Sequence, residues 1–323
     1  MKMFRFISTV MTAMLMHAAS AAENSSVSNQ WITLGTMGGP IPNPTHSQPA
    51  NALLVGSSAY IVDAGDGAAG QLVTAGHSLR DVRAVFISHL HFDHTAGLAA
   101  IIALRWQANV PGKLAIYGPP GIKQTVAGIF SYMDYAAQGH YGVPGQKSMP
   151  VDNNVEVIEI ADGTVLKLED FTVTAVRNSH YSWPQGSKEW EKFQALSFKF
   201  ELPNRTIVYT GDTGPSTAVV ELAKDADLFV SEMMDIDYII AEIKRTSPNM
   251  PAVALKNIEK HLRHHHITPE QVGDMADQAG VKQVVVTHMA PGEDDPAKVA
   301  AYTERVKSKF SGEVVMAKDL DRF

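Results

Sequence analysis

Across 323 residues, 45% of them hydrophobic and 19% charged, the chain has an ordinary globular composition, which sets aside both disorder and a membrane bundle. A net charge of −7 and a pI near 6 supply no general electrostatic reason to bind a polyanion. Cysteine is absent, so disulfides and thiolate ligands are excluded and any metal site must be built from His and carboxylate.

At the N-terminus, Lys2 and Arg5 precede the apolar run Phe6 to Ala19 and the small residues Ala19, Ser20, Ala21 and Ala22. This is the pattern of a bacterial signal peptide over residues 1–22, and it predicts a periplasmic or secreted protein. The run is short and is interrupted by Ser8, Thr9, Thr12 and His17, so it does not suit a span of about 30 Å of hydrocarbon, and no membrane contact is expected after cleavage. Residues 23–30 are polar and expected to be loose. A single domain is expected over 31–323.

Within that domain, Trp31 to Leu34, Ala52 to Val55 and Ala59 to Val62 read as antiparallel strands punctuated by Gly and Pro. Ala84 to Ile87 is an apolar strand, and Gly97 to Gln107 carries the spacing of a helix packed on a sheet. Further strands are expected at Leu114 to Tyr117, Val155 to Glu159, Thr172 to Val176, Leu196 to Phe200, Thr206 to Tyr209, Leu228 to Ser231 and Gln283 to Thr287. Helices fit Ser216 to Ala223, Pro269 to Gln278 and Pro296 to Lys309, with Thr268 as N-cap ahead of Pro269. Strand clusters separated by helices predict an α+β fold of two face-to-face sheets with helices outside.

The strongest local signal is Ser88-His89-Leu90-His91-Phe92-Asp93-His94, between the strand ending at Ile87 and the helix starting near Gly97. Four metal-competent side chains within six positions at a strand end converge on one point. In an extended segment His89 and His91 share a side, while Asp93 and His94 can serve a neighbouring ion.

His-x-His-x-Asp-His after a buried strand resembles the signature of the metallo-β-lactamase superfamily, and the rest of that pattern can be followed along nearly all of the chain. The resemblance implies an αββα four-layer sandwich. It implies that Asp63, in Val62-Asp63-Ala64-Gly65, supports the ligands from behind, that His180 completes the first metal set, that Asp212 bridges two metals and that His288 closes the second set. The implied ligands are therefore His89, His91, Asp93, His94, His180, Asp212 and His288. Nitrogen and oxygen donors without sulfur favour two zinc ions, with manganese or iron as alternatives. Two such ions about 3.5–4 Å apart lower the pKa of a bridging water, so hydrolysis is the expected chemistry. The superfamily's redox branch carries Glu where this chain has His91, which disfavours electron transfer.

The C-terminal half is similar to the tRNase Z and phosphodiesterase branch, through Ser231-Glu232-Met233 and His266-Ile267-Thr268-Pro269-Glu270. In that branch a Glu pairs with a His-x-Thr histidine to protonate a departing oxygen, which falls on Glu232 and His266. Asp93, Glu232 and His266 are thus the candidate catalytic side chains. The branch's Glu-Ala-Thr segment is replaced by Glu232-Met233-Met234, and its Ser and Arg after the last ligand by Met289-Ala290-Pro291-Gly292; no long basic arm is visible. With the acidic balance and the leader, these departures lead to an expectation of an exported dinuclear-zinc hydrolase of small phosphodiesters or related phosphate or sulfate esters. No nucleic-acid partner is expected, and a homodimer is left open. A β-lactamase or lactonase on the same site is the alternative, and a non-catalytic zinc scaffold is disfavoured because no ligand position is lost. The aromatic stretches Tyr132 to Tyr141 and Tyr181 to Trp190 are expected as an apolar rim around the metals.

Overall fold

A computed structural model describes residues 29–139, 142–147 and 149–323. The expected signal peptide over 1–22 and residues 23–28 of the loose stretch lie outside the described residues. Asn29 and Gln30, the last two residues of that stretch, are already strand, paired with Val55 and Leu54.

The first sheet runs in chain order: β1 (Asn29–Gly35), β2 (Ala50–Val55), β3 (Ser58–Ala64), β4 (Val82–Phe86), β5 (Leu114–Gly118) and β6 (Val155–Glu159). Its first three strands are antiparallel, as their Gly-punctuated alternation predicts, and β3 through β6 are parallel. The second sheet holds β7 (Val165–Lys167), β8 (Thr172–Arg177), β9 (Leu196–Glu201), β10 (Thr206–Tyr209), β11 (Leu228–Met234), β12 (Gln283–Ala290) and β13 (Glu313–Met316), again as sequential neighbours. Helices α1 (Ala68–Thr74), α2 (Phe92–Thr95), α3 (Leu98–Gln107) and α4 (Ile122–Gln138) accompany the first sheet. After the short α5 (Lys188–Lys192) come α6 (Thr217–Leu222), α7 (Ile236–Thr246), α8 (Ala252–His265), α9 (Pro269–Ala279) and α10 (Pro296–Lys307).

The strand period of two sorts side chains into stacked apolar layers and so builds the sandwich. Ala52, Leu54, Ile61 and Val85 face outward onto Leu72 of α1, Ile101 and Ile102 of α3 and Val126 of α4. Their neighbours Leu53, Val55, Tyr60, Val62 and Phe86 face inward and meet Val173, Phe198, Phe200, Tyr209 and Val230 of the second sheet. On the far side Val208, Phe229, Val284 and Val286 pack under Val219 of α6, Met275 and Ala276 of α9 and Val306 of α10. The expected αββα order is this succession of helix, sheet, sheet and helix. Among the described residues no helix is long and apolar enough to cross a membrane.

Topology places the functional segments together. Strands β3 and β4 are parallel, as are β10, β11 and β12, and β8 runs in the direction of β10 because both are antiparallel to β9. Asp63, His89, His180, Asp212, Glu232 and His288 therefore all lie at or near C-terminal strand ends, where open α/β sheets present ligand sites.

Candidate metal centre and active site

Four residues of the His89 segment converge because the chain leaves β4 at Phe86 and turns at Phe92 into α2, a single turn with His91 as its extended N-cap (φ −65°, ψ 151°). His89 and His91 stay on one side of this turn, while Asp93 and His94, inside the helix, point to the other. The donor atoms of His89, His91, His180 and Asp212 lie within 4.8 Å of one another, and so do those of Asp93, His94, Asp212 and His288. These are the two sets expected from the sequence, and all seven residues are brought together.

Asp212 belongs to both sets through different atoms. Its Oδ2 lies 3.8 Å from His89 Nε2 and 4.0 Å from His180 Nε2, while Oδ1 lies 3.2 Å from His94 Nε2 and 3.1 Å from His288 Nε2. The carboxylate is held there by the backbone of Gly211, whose φ is +56° and whose hydrogen faces Ser88; a Cβ in its place would sit 2.9 Å from Ser88 Cβ and 3.0 Å from the Leu196 carbonyl oxygen.

A cation fits this donor set on a direct observation. Buried polar atoms are ordinarily hydrogen-bonded, yet His89 Nε2, His94 Nε2, His288 Nε2 and Asp212 Oδ1 are buried without a hydrogen-bond partner, all aimed at the shared space. Burial, reinforced by the neighbouring His94, holds the His89 imidazole well below the usual histidine range, and burial does the same to His180, so both present bare nitrogens. Burial acts to raise Asp93, but His94 and His288 beside it bring its carboxyl down to about 2. The cluster is a metal-binding site.

Other residues set the orientation of these donors. Asp63, fully buried and at φ 57°, accepts from the Ser88 backbone N–H (2.7 Å), Ser88 Oγ (2.7 Å), His94 Nδ1 (2.7 Å) and the Tyr209 hydroxyl (2.8 Å). Taking the His94 Nδ1 proton leaves Nε2 bare towards the cluster. His180 donates from Nδ1 to the His265 carbonyl (3.0 Å), with the same consequence for its Nε2. Its backbone N–H bonds Asn178 Oδ1 (3.0 Å), and the amide of Asn178 reaches the Thr210 carbonyl (3.0 Å), tying the end of β8 to the end of β10. Asn178 and Tyr209 carry no mark in the sequence beyond standing next to a ligand segment; their roles depend on pairings across more than thirty positions.

The expected Glu232 and His266 pair forms: His266 Nδ1 donates to Glu232 Oε2 at 2.9 Å, and Glu232 also accepts from the Thr213 backbone N–H. Burial and the charge of Asp212 push the Glu232 carboxyl well up, while burial pushes His266 down. The His266 ring lies 5.1 Å from that of His180 and stacks 6.3 Å from that of His288, spanning both clusters.

The aromatic rim is correct only in part. Tyr181 stands at the centre, 5.6 Å from the His91 ring and 5.0 Å from the His180 ring. Trp190 instead supports the Arg177 guanidinium at 3.6 Å, and Trp183 packs on Phe193. Tyr132 and Tyr135 are exposed on α4, where Tyr132 borders an apolar cavity of about 700 Å³ between α3 and α4 that none of the seven clustered residues lines. Tyr141 lies outside the described residues.

Comparison with known proteins bears on the whole arrangement. The model of a family described as Beta-lactamase superfamily domain matches residues 59–289. A Mycobacterium marinum protein named Ribonuclease Z is 27% identical over 298 residues, covering 90% of this chain and 97% of its own length. Among solved structures, the metallo-beta-lactamase fold protein YhfI from Bacillus subtilis aligns with a TM-score of 0.65 at 19% identity, over 92% of this chain and 99% of its own. The short form of human tRNase Z aligns with a TM-score of 0.62 at 21% identity, over 91% and 98%. The fold is shared with both.

These findings correct two expectations. A hydrolase of small esters, with a lactam or lactone enzyme as the alternative and no nucleic-acid partner, is overturned by relatives that match almost end to end and are named Ribonuclease Z. Whole-chain charge misled: nucleic-acid contact depends on local placement of cations and hydrogen-bond donors, to which a net −7 is blind.

Proposed function

The chain belongs to the beta-lactamase superfamily and is a metal-dependent hydrolase, and on that premise we propose that it is a zinc-dependent phosphodiesterase of the ribonuclease Z kind, acting on RNA. The carrying observation is Asp212, which turns one carboxylate oxygen to each of two buried His and Asp clusters beside the paired Glu232 and His266. All-nitrogen and oxygen donors suit zinc.

In this reading His89, His91, His180 and Asp212 hold one ion, and Asp93, His94, Asp212 and His288 the other. Two such ions supply Lewis acidity at the phosphoryl group and a nucleophilic water at neutral pH. The chain's own residues do the rest. Asp63 and the His265 carbonyl take the Nδ1 protons of His94 and His180 and so keep each Nε2 directed inward. Glu232 holds His266 at Nδ1, leaving Nε2 to face the reacting ester between the rings of His180 and His288. In RNA the departing group is a ribose oxygen, a poor leaving group. In its acid form the pair carries two protons, one in the Nδ1–Oε2 hydrogen bond and one on Nε2; as the P–O bond breaks, the Nε2 proton passes to the ribose oxygen and the other stays in the hydrogen bond, on Nδ1.

The test is cleavage of a labelled precursor RNA by the protein after chelator stripping and again after zinc is restored. Cleavage that disappears on stripping and returns with zinc supports the reading. A zinc-loaded protein that leaves the RNA intact overturns it.

A further inference from the structure

The ligand sets and the Glu232 pair leave three histidines of α8 unused. His264 is turned outward, its Nδ1 bonded to the Lys260 carbonyl one turn back. His261 and His265 behave differently. They stand one turn apart, their Nδ1 atoms 2.7 Å from each other, and His265 Nε2 lies 2.9 Å from Ser182 Oγ. The ring of His261 sits 5.9 Å from that of His180 and 5.5 Å from that of His266, so it is part of the wall between the first cluster and the proposed acid. It is partly buried, and its Nε2 has no hydrogen-bond partner among the described residues.

Two imidazole nitrogens at 2.7 Å hold one hydrogen between them, so one donates and the other accepts. The tautomers of the two rings are then locked in opposition. If the Ser182 hydroxyl donates to His265 Nε2, the hydrogen of His265 is on Nδ1 and is given to His261 Nδ1, which places the hydrogen of His261 on Nε2. The reverse order leaves His261 Nε2 a bare acceptor. Phosphoryl oxygens offer only acceptors, so an ester in the site selects the first arrangement.

We propose that His261 is a substrate-binding residue that donates a hydrogen bond from Nε2 to a phosphoryl oxygen of the RNA ester, with Ser182 and His265 as positioning residues that set its tautomer. The proposal rests on the phosphodiesterase reading above. It adds a recognition group, supplied by helix α8, that belongs to neither metal set.

The experiment compares zinc-loaded wild type with His261→Ala, His261→Gln and Ser182→Ala, reading KM and kcat on the labelled RNA, zinc content, and histidine tautomers by ¹⁵N NMR. A hydrogen bond to a charged oxygen is worth about 10–100-fold in affinity. His261→Ala should raise KM by about that factor with kcat nearly unchanged and zinc content unaltered, and His261→Gln, which keeps a donor, should recover most of it. The wild-type spectrum should show His261 protonated at Nε2, and Ser182→Ala should mix the tautomers. If His261→Ala does not fold, His261→Phe keeps the ring without the donor and makes the same comparison. An unchanged KM, a loss confined to kcat, or loss of an extra zinc ion from the His261 variants would overturn the proposal. Wild type that cleaves no RNA would instead overturn the phosphodiesterase reading, and this inference with it.

Discussion

Asp63 offers a way to separate fold stability from metal affinity, because its four hydrogen bonds serve both. In Asp63→Ala, the Ser88 N–H, Ser88 Oγ–H, His94 Nδ1–H and Tyr209 hydroxyl all lose a buried acceptor. Each such loss costs about 1–3 kcal/mol. Four of them in one small space are not independent, which favours a net cost near the low end, about 4 kcal/mol, against a typical domain stability of about 5–15 kcal/mol. Asp63→Asn makes the sharper test. The amide can keep one oxygen on the Ser88 N–H, but its NH₂ then faces His94 and Tyr209. His94 must accept at Nδ1, which moves its hydrogen to Nε2 and turns a metal donor atom into an N–H. The Asn variant should therefore lose less stability than Ala in urea unfolding, yet bind its more weakly held zinc about 10–100-fold less tightly in a chelator competition. Full zinc affinity in Asp63→Asn would refute the argument that Asp63 acts by fixing the tautomer of His94.

His266→Ala should slow hydrolysis of RNA by roughly 10²–10⁴-fold while largely sparing p-nitrophenyl phosphodiesters, whose nitrophenolate leaves unaided; parallel assays on the two substrates check this, and equal loss on both would mean a structural role. Gly211→Ala forces a Cβ to 2.9 Å from Ser88 at a left-handed backbone position and should displace Asp212, read as zinc loss from both sites by metal analysis. If the run Phe6 to Ala19 is a cleaved leader, N-terminal sequencing of native protein should begin near Ala22 or Glu23; an intact Met1 would end that reading.

Where sequence reading succeeded, the information was local. Strands such as Val155–Glu159 and the Thr268 capping box of α9 are written in contiguous residues, and the cap forms with both of its reciprocal bonds. The His89 segment was legible because all four donors come from six consecutive positions. Elements too short to show a period were missed. Strand β7 has only three residues and becomes a strand by pairing with β8 in a local hairpin. The aromatics of α4 drew attention as a rim, whereas its buried face is Ile122, Val126, Met133 and Ala137, a helical spacing that leaves Tyr132 and Tyr135 outside. Helical periodicity likewise divides Lys260 to His266: His264 points outward, His261 and His265 pair along one face, and His266 leaves the helix end to meet Glu232.

If Asp212 joins the two clusters into one hydrolytic centre for RNA, the cleavage rate of a labelled precursor RNA should separate zinc-saturated wild type from Asp212→Ala. Wild type should cleave it and the variant should fall to background. Equal cleavage by both proteins would rule out a shared role for Asp212.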